Sequence, residues 1–185
     1  MIFMNPKIQK HWQRMEEGKA YYDALLQVFN DEQLNFHPEN GSWSMLDVMQ
    51  HLFTSENISL KFMQNFDFNR KNEKVGLKAE VKTVMLVNRL NSRKKYQAPK
   101  ILEEKKDSLN ISKNPHEFSH QWDDIRKEMF SFLNDFPNDK IGHFIFSHPV
   151  VGKLNILQTM QFFVAHMKHH QYQIESINHH KKFPK

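Results

Sequence analysis

Residues 154–177, LNILQTMQFFVAHMKHHQYQIESI, predict one long amphipathic helix, because the stretch contains neither Gly nor Pro. Asn155 and Gln158 form a capping-box pattern at its start. Apolar side chains recur at helical spacing on one stripe, made by Ile156, Met160, Phe163, Met167 and Ile174. At about 100° per residue, His170 falls inside this stripe, His166 lies at its edge, and His169 points to the far side.

His166 and His170 are a candidate pair of metal ligands. Imidazoles four residues apart on one helical face can place two nitrogens on one ion. A pair with this spacing is more often two hydrogen-bonded or partly exposed histidines. A third ligand from another element would therefore favour the metal site.

His51 is the third candidate, in a second helix predicted to begin at Trp43. Ser42 or Ser44 serves as its N-cap, with Asp47 as the capping-box partner of Ser44. The predicted inner stripe consists of Met45, Val48, Leu52, Phe62, Met63 and Phe66.

His51 projects into that stripe beside Ser55 and Ser59, whose small side chains leave space for something other than packing. The alternative is a core histidine satisfied by a hydroxyl or carbonyl group. The residues alone leave both interpretations open.

Composition favours one all-α domain over residues 1–185. The chain is 39% hydrophobic, with sixteen Phe and ten Met, and it has only five Gly and seven Pro. It contains no Cys, so any metal must be bound by His, Asp or Glu. We find no signal peptide and no apolar run of the roughly 18 residues that a membrane helix needs, and we expect a cytoplasmic protein.

The net charge of +5 is unevenly distributed. Residues 69–113 hold thirteen Lys and Arg against five Asp and Glu, which gives this segment +8 and the remainder −3. A basic segment can attract nucleic acid or a small anion. No nucleic-acid-binding motif accompanies the charge, so we do not expect nucleic-acid binding.

Further helices are predicted over residues 7–30 and 115–136, with Asn114 as the N-cap of the second. Residues 81–91 are β-branched enough for a strand, but a buried helix also suits Val81, Val84, Met85, Val87 and Leu90, and we favour the helix. Residues 97–114 look like a long basic connection, and residues 141–153 like a loop with an extended centre. His148 precedes Pro149 in this extended region and could reach a pocket, but we expect it at the surface. We therefore predict an up-and-down four-helix bundle with an additional short helix or long connection in its middle segment.

No general base is identifiable. Asp47, Glu56 and Glu175 are near the candidate ligands in sequence, but each is predicted to be a solvated or capping carboxylate.

Two patterns in this order resemble the DinB-like (DinB/YfiT) superfamily. The first is Trp43-Ser44 followed by His51-Leu52. The second is a Gly-Lys-Leu turn at residues 152–154 followed by His166-Met-Lys-His-His-Gln over residues 166–171. The resemblance implies a four-helix bundle in which His51, His166 and His170 bind a divalent metal, and it leaves His169 out.

Three neutral imidazoles suit Zn²⁺ or Ni²⁺ and leave a coordination position open for a small-molecule substrate. The resemblance also implies a low-molecular-weight thiol as a partner, so we favour a thiol-dependent transferase over a hydrolase. The alternative is a non-catalytic bundle that acts as a binding or stress-associated protein. A homodimer formed through helix faces is compatible with the sequence.

Overall fold

The computed structural model describes residues 4–39, 41–70, 72–92 and 109–185. Helices make up most of this part of the chain, and they confirm the prediction of an all-α bundle. The helices are α1 (Pro6–Val28), α2 (Asp31–Leu34), α3 (Met45–Gln64), α4 (Leu77–Leu90), α5 (Pro115–Asn134) and α6 (Ile156–Asn178). A 3₁₀ turn, Asn138–Lys140, precedes two short strands, β1 (Phe146–His148) and β2 (Gly152–Leu154).

Side-chain caps start the helices where the sequence predicted them. The Ser44 hydroxyl accepts from the Asp47 backbone N–H, and the Asp47 carboxylate accepts from the Ser44 N–H. Asn155 and Gln158 form the same reciprocal pair at the start of α6. The Asn114 side chain caps α5. These bonds satisfy backbone donors that a helix N-terminus leaves unpaired.

The four long helices α1, α3, α5 and α6 form the bundle, in which α1 and α3 each pack against both α5 and α6. Helices α3 and α5 run in the same direction, because Phe53 contacts Phe118 while Glu56 contacts Arg126 further along both helices. The long connection between them, which includes α4, returns the chain to the end of the bundle where α3 began. The helices therefore do not alternate strictly in direction along the chain.

A buried polar layer crosses the bundle between two apolar core clusters. The Arg126 guanidinium donates to the Glu56 carboxylate at 2.9 and 2.7 Å and to Glu16 at 2.9 Å. Trp122 Nε1 also donates to Glu56, at 2.9 Å. The prediction of a solvated or capping Glu56 is therefore wrong. Glu56 faces α5, whose arginine and tryptophan replace the lost hydration.

Helix α4 confirms the predicted helix in the middle segment, but its buried face differs from the predicted one. Its buried side chains are Thr83, Leu86 and Leu90. Val81, Val84 and Met85, which were expected to suit a buried helix, are exposed. The helix packs mainly against α6 and β2, so only one side of it is covered.

Most of the residues predicted as a loop form a hairpin of β1 and β2, which provides the expected extended centre. His148 pairs with Gly152 in its antiparallel register. Gly152 has a φ of +83°, a conformation that glycine adopts without strain. Phe62 of α3 packs against Phe146 of this hairpin at 5.8 Å and remains exposed, so its predicted place on the inner stripe is wrong.

Most of the basic connection predicted at residues 97–114 lies outside the described residues. Within the described ranges, no helix combines the length and the apolar character required to cross a bilayer.

Candidate metal centre

Three buried histidines converge between α3 and α6. The Nε2 atom of His51 lies 3.1 Å from Nε2 of His166, and Nε2 of His170 lies 3.0 Å from the same atom. Each side chain is at most 8% exposed. The three residues each offer one ligand atom, and these atoms all lie within 4.8 Å of one another, close enough to hold one metal ion. The structure thus brings together all three predicted ligand residues, whose role as ligands stays a prediction.

Gln173 sets the tautomer of His170. The His170 Nδ1 atom lies 2.9 Å from Oε1 of Gln173, one helical turn further along α6. An amide oxygen only accepts, so Nδ1 carries the hydrogen and Nε2 presents its lone pair to the cluster. Gln173 was not predicted as a partner of His170, although a polar side chain three positions after a histidine on one helix is a recognisable signal.

Burial keeps two of these histidines neutral. The pKa of His166 lies well below its ordinary value, first because of burial and then because of the neighbouring His170 and His51. Burial also lowers the pKa of His170 to about 3, with a further contribution from His51. Neutral imidazole is the form that binds metals, so no proton has to leave these rings at neutral pH.

Two aromatic side chains pack against the three histidines. Trp43 lies 4.9 Å from the His51 ring and stacks on His170 at 6.2 Å between ring centroids. Phe162 stacks on His166 at 5.1 Å, with the ring planes 18° apart. These contacts fix the orientation of the imidazoles and place apolar surface around them.

His169 lies outside the cluster although it precedes His170 in the chain. Its Nδ1 atom lies 2.9 Å from the Leu90 carbonyl oxygen. The residue therefore links α6 to the end of α4.

His148 is buried, and its predicted place at the surface is wrong. Only 7% of the residue is exposed, because β1 turns the ring towards Phe162 of α6 at 4.5 Å. Burial lowers the pKa of His148 to about 4. The proline that follows His148 predicts an extended backbone but not the helix against which the side chain packs.

No carboxylate joins the three histidines in the part of the chain that the structure describes. Asp47 caps α3 and Glu175 is exposed, as predicted. The carboxylate of Glu56 is held by Arg126 and Trp122. Three buried imidazole nitrogens are a donor set that fits a borderline divalent ion.

Comparison with curated proteins gave no match, and neither did comparison with solved structures. The family model of the DinB superfamily matches residues 14–174, a range that includes His51, His166 and His170. Because this match covers most of the chain and contains the histidine cluster, the protein belongs to the DinB superfamily.

Proposed function

We propose that this protein is a metal-dependent enzyme in which His51, His166 and His170 hold one divalent ion, Zn²⁺ or Ni²⁺. The observation that supports the proposal is the convergence of three buried Nε2 atoms from two helices. Three protein ligands leave a coordination position open, as catalytic rather than structural sites do.

A low-molecular-weight thiol is the partner that we propose for the open position. A bound ion of this kind stabilises a thiolate or lowers the pKa of water. The chain contains no Cys, so a thiol must arrive with a small-molecule substrate or cosubstrate.

We favour a thiol-dependent transferase over a hydrolase because of the groups around the histidines. Within the described residues no carboxylate belongs to the cluster, and the nearby Glu56 is engaged by Arg126. Hydrolysis commonly uses a positioned general base, whereas a thiolate is already a nucleophile. A hydrolase and a non-catalytic binding or stress protein remain the alternatives.

The first experiment is elemental analysis of untagged protein purified without chelator. We expect about one Zn or Ni per chain, lost in His51→Ala and in His170→Ala because two imidazoles bind more weakly than three. His169→Ala is the matched control, since it removes a histidine of the same helix that lies outside the cluster, and it should retain the metal. A wild type that stays empty after incubation with both ions would overturn the proposal.

A second measurement separates an enzyme from a closed structural site. Ethanethiol added to the Co²⁺-loaded protein should produce a sulfur-to-cobalt charge-transfer band if a coordination position is open. The absence of that band on a fully loaded protein would favour the non-catalytic alternative.

We also propose a cytoplasmic location and a homodimer. The exposed apolar side chains of α4, which are Leu77, Val81, Val84 and Met85, offer one surface for self-association. Sedimentation of the wild type and of Val84→Lys tests the dimer at this surface.

A further inference from the structure

Met167 lies between two of the candidate ligands, His166 and His170, on α6. The residue is buried, and its backbone carbonyl oxygen accepts a hydrogen bond from the Tyr22 hydroxyl of α1 at 2.6 Å. Tyr22 is also fully buried, so water does not readily replace this bond once it is lost. The turn of α6 that carries both histidines is therefore attached to α1 through its backbone.

The Met167 side chain is held from two sides. On α1, a Cβ atom at the position of Gly18 would lie 3.1 Å from the Met167 sulfur, so the absence of a side chain there permits the close approach. On α5, the Nη2 atom of Arg126 lies 3.5 Å from the same sulfur. Gly18 and Tyr22 are neighbours on one face of α1, which therefore contacts both the side chain and the carbonyl oxygen of Met167.

Arg126 connects Met167 to α3, the helix that carries the third candidate ligand. Its Nη2 atom donates to the carboxylate of Glu56 at 2.7 Å, and Glu56 follows His51 on that helix. A buried path therefore runs from Glu56 through Arg126 to Met167 and joins the two ligand-bearing helices. A metal site requires its ligand atoms within about 0.5 Å of the working geometry, so the position of Met167 affects how well the three histidines bind.

We propose that Tyr22 is a positioning residue of the metal centre, which acts through Met167 to fix the two ligands of α6 relative to His51. This inference rests on the proposed function and extends the site beyond the groups that touch the histidines. A hydrogen bond that only stabilised the fold would contribute equally to the metal-free and metal-bound protein, and its loss would leave the metal affinity of the folded protein unchanged. A positioning bond contributes more to the metal-bound form, so its loss weakens metal binding.

The experiment measures the Zn²⁺ affinity of folded Tyr22→Phe by competition with a chromophoric chelator. We expect this variant to bind Zn²⁺ about fivefold to tenfold more weakly than the wild type, at the same stoichiometry, because the hydrogen bond that holds the ligand-bearing turn is lost. The d–d absorption bands of the Co²⁺-loaded variant should also shift, because these bands report the geometry of the ligands.

The matched control is Tyr21→Phe, which removes the hydroxyl of the adjacent, partly buried tyrosine of α1. It should bind Zn²⁺ and Co²⁺ like the wild type. If Tyr22→Phe matches the wild type in Zn²⁺ affinity and in its Co²⁺ spectrum, the inference is overturned, even where the variant is less stable. Equal weakening in Tyr21→Phe and Tyr22→Phe also overturns it, because the bond to Met167 would then not be the cause.

A measurement on the wild type serves if Tyr22→Phe does not fold. By linkage, a bond that strengthens metal binding is itself strengthened by the metal. The hydroxyl proton of Tyr22 should therefore move downfield and exchange more slowly with water when Zn²⁺ is added, and an unchanged resonance contradicts the inference. Failure of the wild type to bind Zn²⁺ overturns the proposed function and this inference together, whereas equal Zn²⁺ binding by the wild type and Tyr22→Phe overturns only the inference.

Discussion

The amide of Gln173 decides which nitrogen of His170 faces the cluster. Removing it in Gln173→Ala frees the ring to rotate and to change tautomer. We expect the affinity for Zn²⁺ to fall about tenfold or more, the usual effect of losing a partner of a ligand imidazole. Competition with a chromophoric chelator measures this affinity.

The matched control is Gln161→Ala, which removes an exposed glutamine from the same helix. It should bind Zn²⁺ like the wild type. Equal affinities in the two variants would show that Gln173 does not orient His170.

The pKa of His148 predicts how the metal-free protein responds to acid. In the folded protein this pKa is about 4, whereas an unfolded chain has a histidine pKa of about 6.5. Between these values the unfolded chain binds the proton and the folded chain does not, so stability from this residue is present above pH 6.5 and is lost as the pH falls towards 4. Lowering the pH from 7.5 to 5 should therefore remove about 2 kcal/mol through His148.

Urea unfolding of metal-free wild type and His148→Asn at the two pH values measures this difference. The variant cannot titrate at this position and should lose less stability on acidification. The histidines of the cluster titrate in both proteins, so only the difference between them reports on His148. Equal losses would mean that His148 becomes protonated in the folded state.

At the scale of the helices, the ion pair between Glu56 and Arg126 joins α3 to α5. Both side chains are almost fully buried, at 2% and 4% exposure. Arg126→Met leaves the Glu56 carboxylate buried without its cation and should reduce the free energy of unfolding by about 3–5 kcal/mol. The double variant Glu56→Gln/Arg126→Met removes both charges and keeps an acceptor for Trp122, so it should recover most of that loss.

Chemical denaturation at pH 7.5 measures these free energies. Lys127→Met is the control on the same helix, because its ion pair with Asp124 is exposed and its loss should leave stability unchanged. A double variant as unstable as Arg126→Met would show that the charge pair itself, rather than the unpaired carboxylate, determines stability.

Helix α4 provides a test of which face packs on the bundle. Leu86 is buried and Met85 is exposed, although the two are neighbours in sequence. Leu86→Ala should reduce the free energy of unfolding by about 2–4 kcal/mol, whereas Met85→Ala should leave it within about 0.5 kcal/mol of the wild type. Urea unfolding followed by tryptophan fluorescence measures both, and equal effects would contradict the observed face.

These elements show which features local sequence can predict. The caps at Ser44, Asn114 and Asn155 depend on residues within one helical turn, so the starts of α3, α5 and α6 could be predicted. His166 and His170 were predicted to face inward from the period of a single helix. The environments of Glu56 and His148 depend on residues distant in sequence, Arg126 and Phe162, and no periodicity reports those contacts.

The same distinction explains the exposed face of α4. Val81, Val84 and Met85 are apolar, and a segment with apolar residues on several sides has no preferred inner face. Packing of α4 on one helix and a short hairpin selects the side with Thr83 and Leu86. The sequence could predict the helix but not which neighbour would cover it.

At the scale of the whole molecule, the candidate metal centre lies beside the polar layer that separates the two apolar clusters. His51 belongs to α3, and His166 and His170 belong to α6, so a bound ion would connect two helices across the bundle. The three histidines are not prearranged in the unfolded chain, which therefore binds the ion more weakly. Metal binding should consequently stabilise the fold.

The expected size of this stabilisation follows from mass action. Free Zn²⁺ at 100 times its dissociation constant should raise the free energy of unfolding by about 2.7 kcal/mol. Urea unfolding at pH 7.5, with buffered Zn²⁺ and with chelator, measures the change. His51→Ala should show little response to Zn²⁺, whereas His169→Ala should respond like the wild type because its ring lies outside the cluster. A wild type with the same stability in Zn²⁺ and in chelator would mean that the three histidines do not act as one site joining α3 to α6.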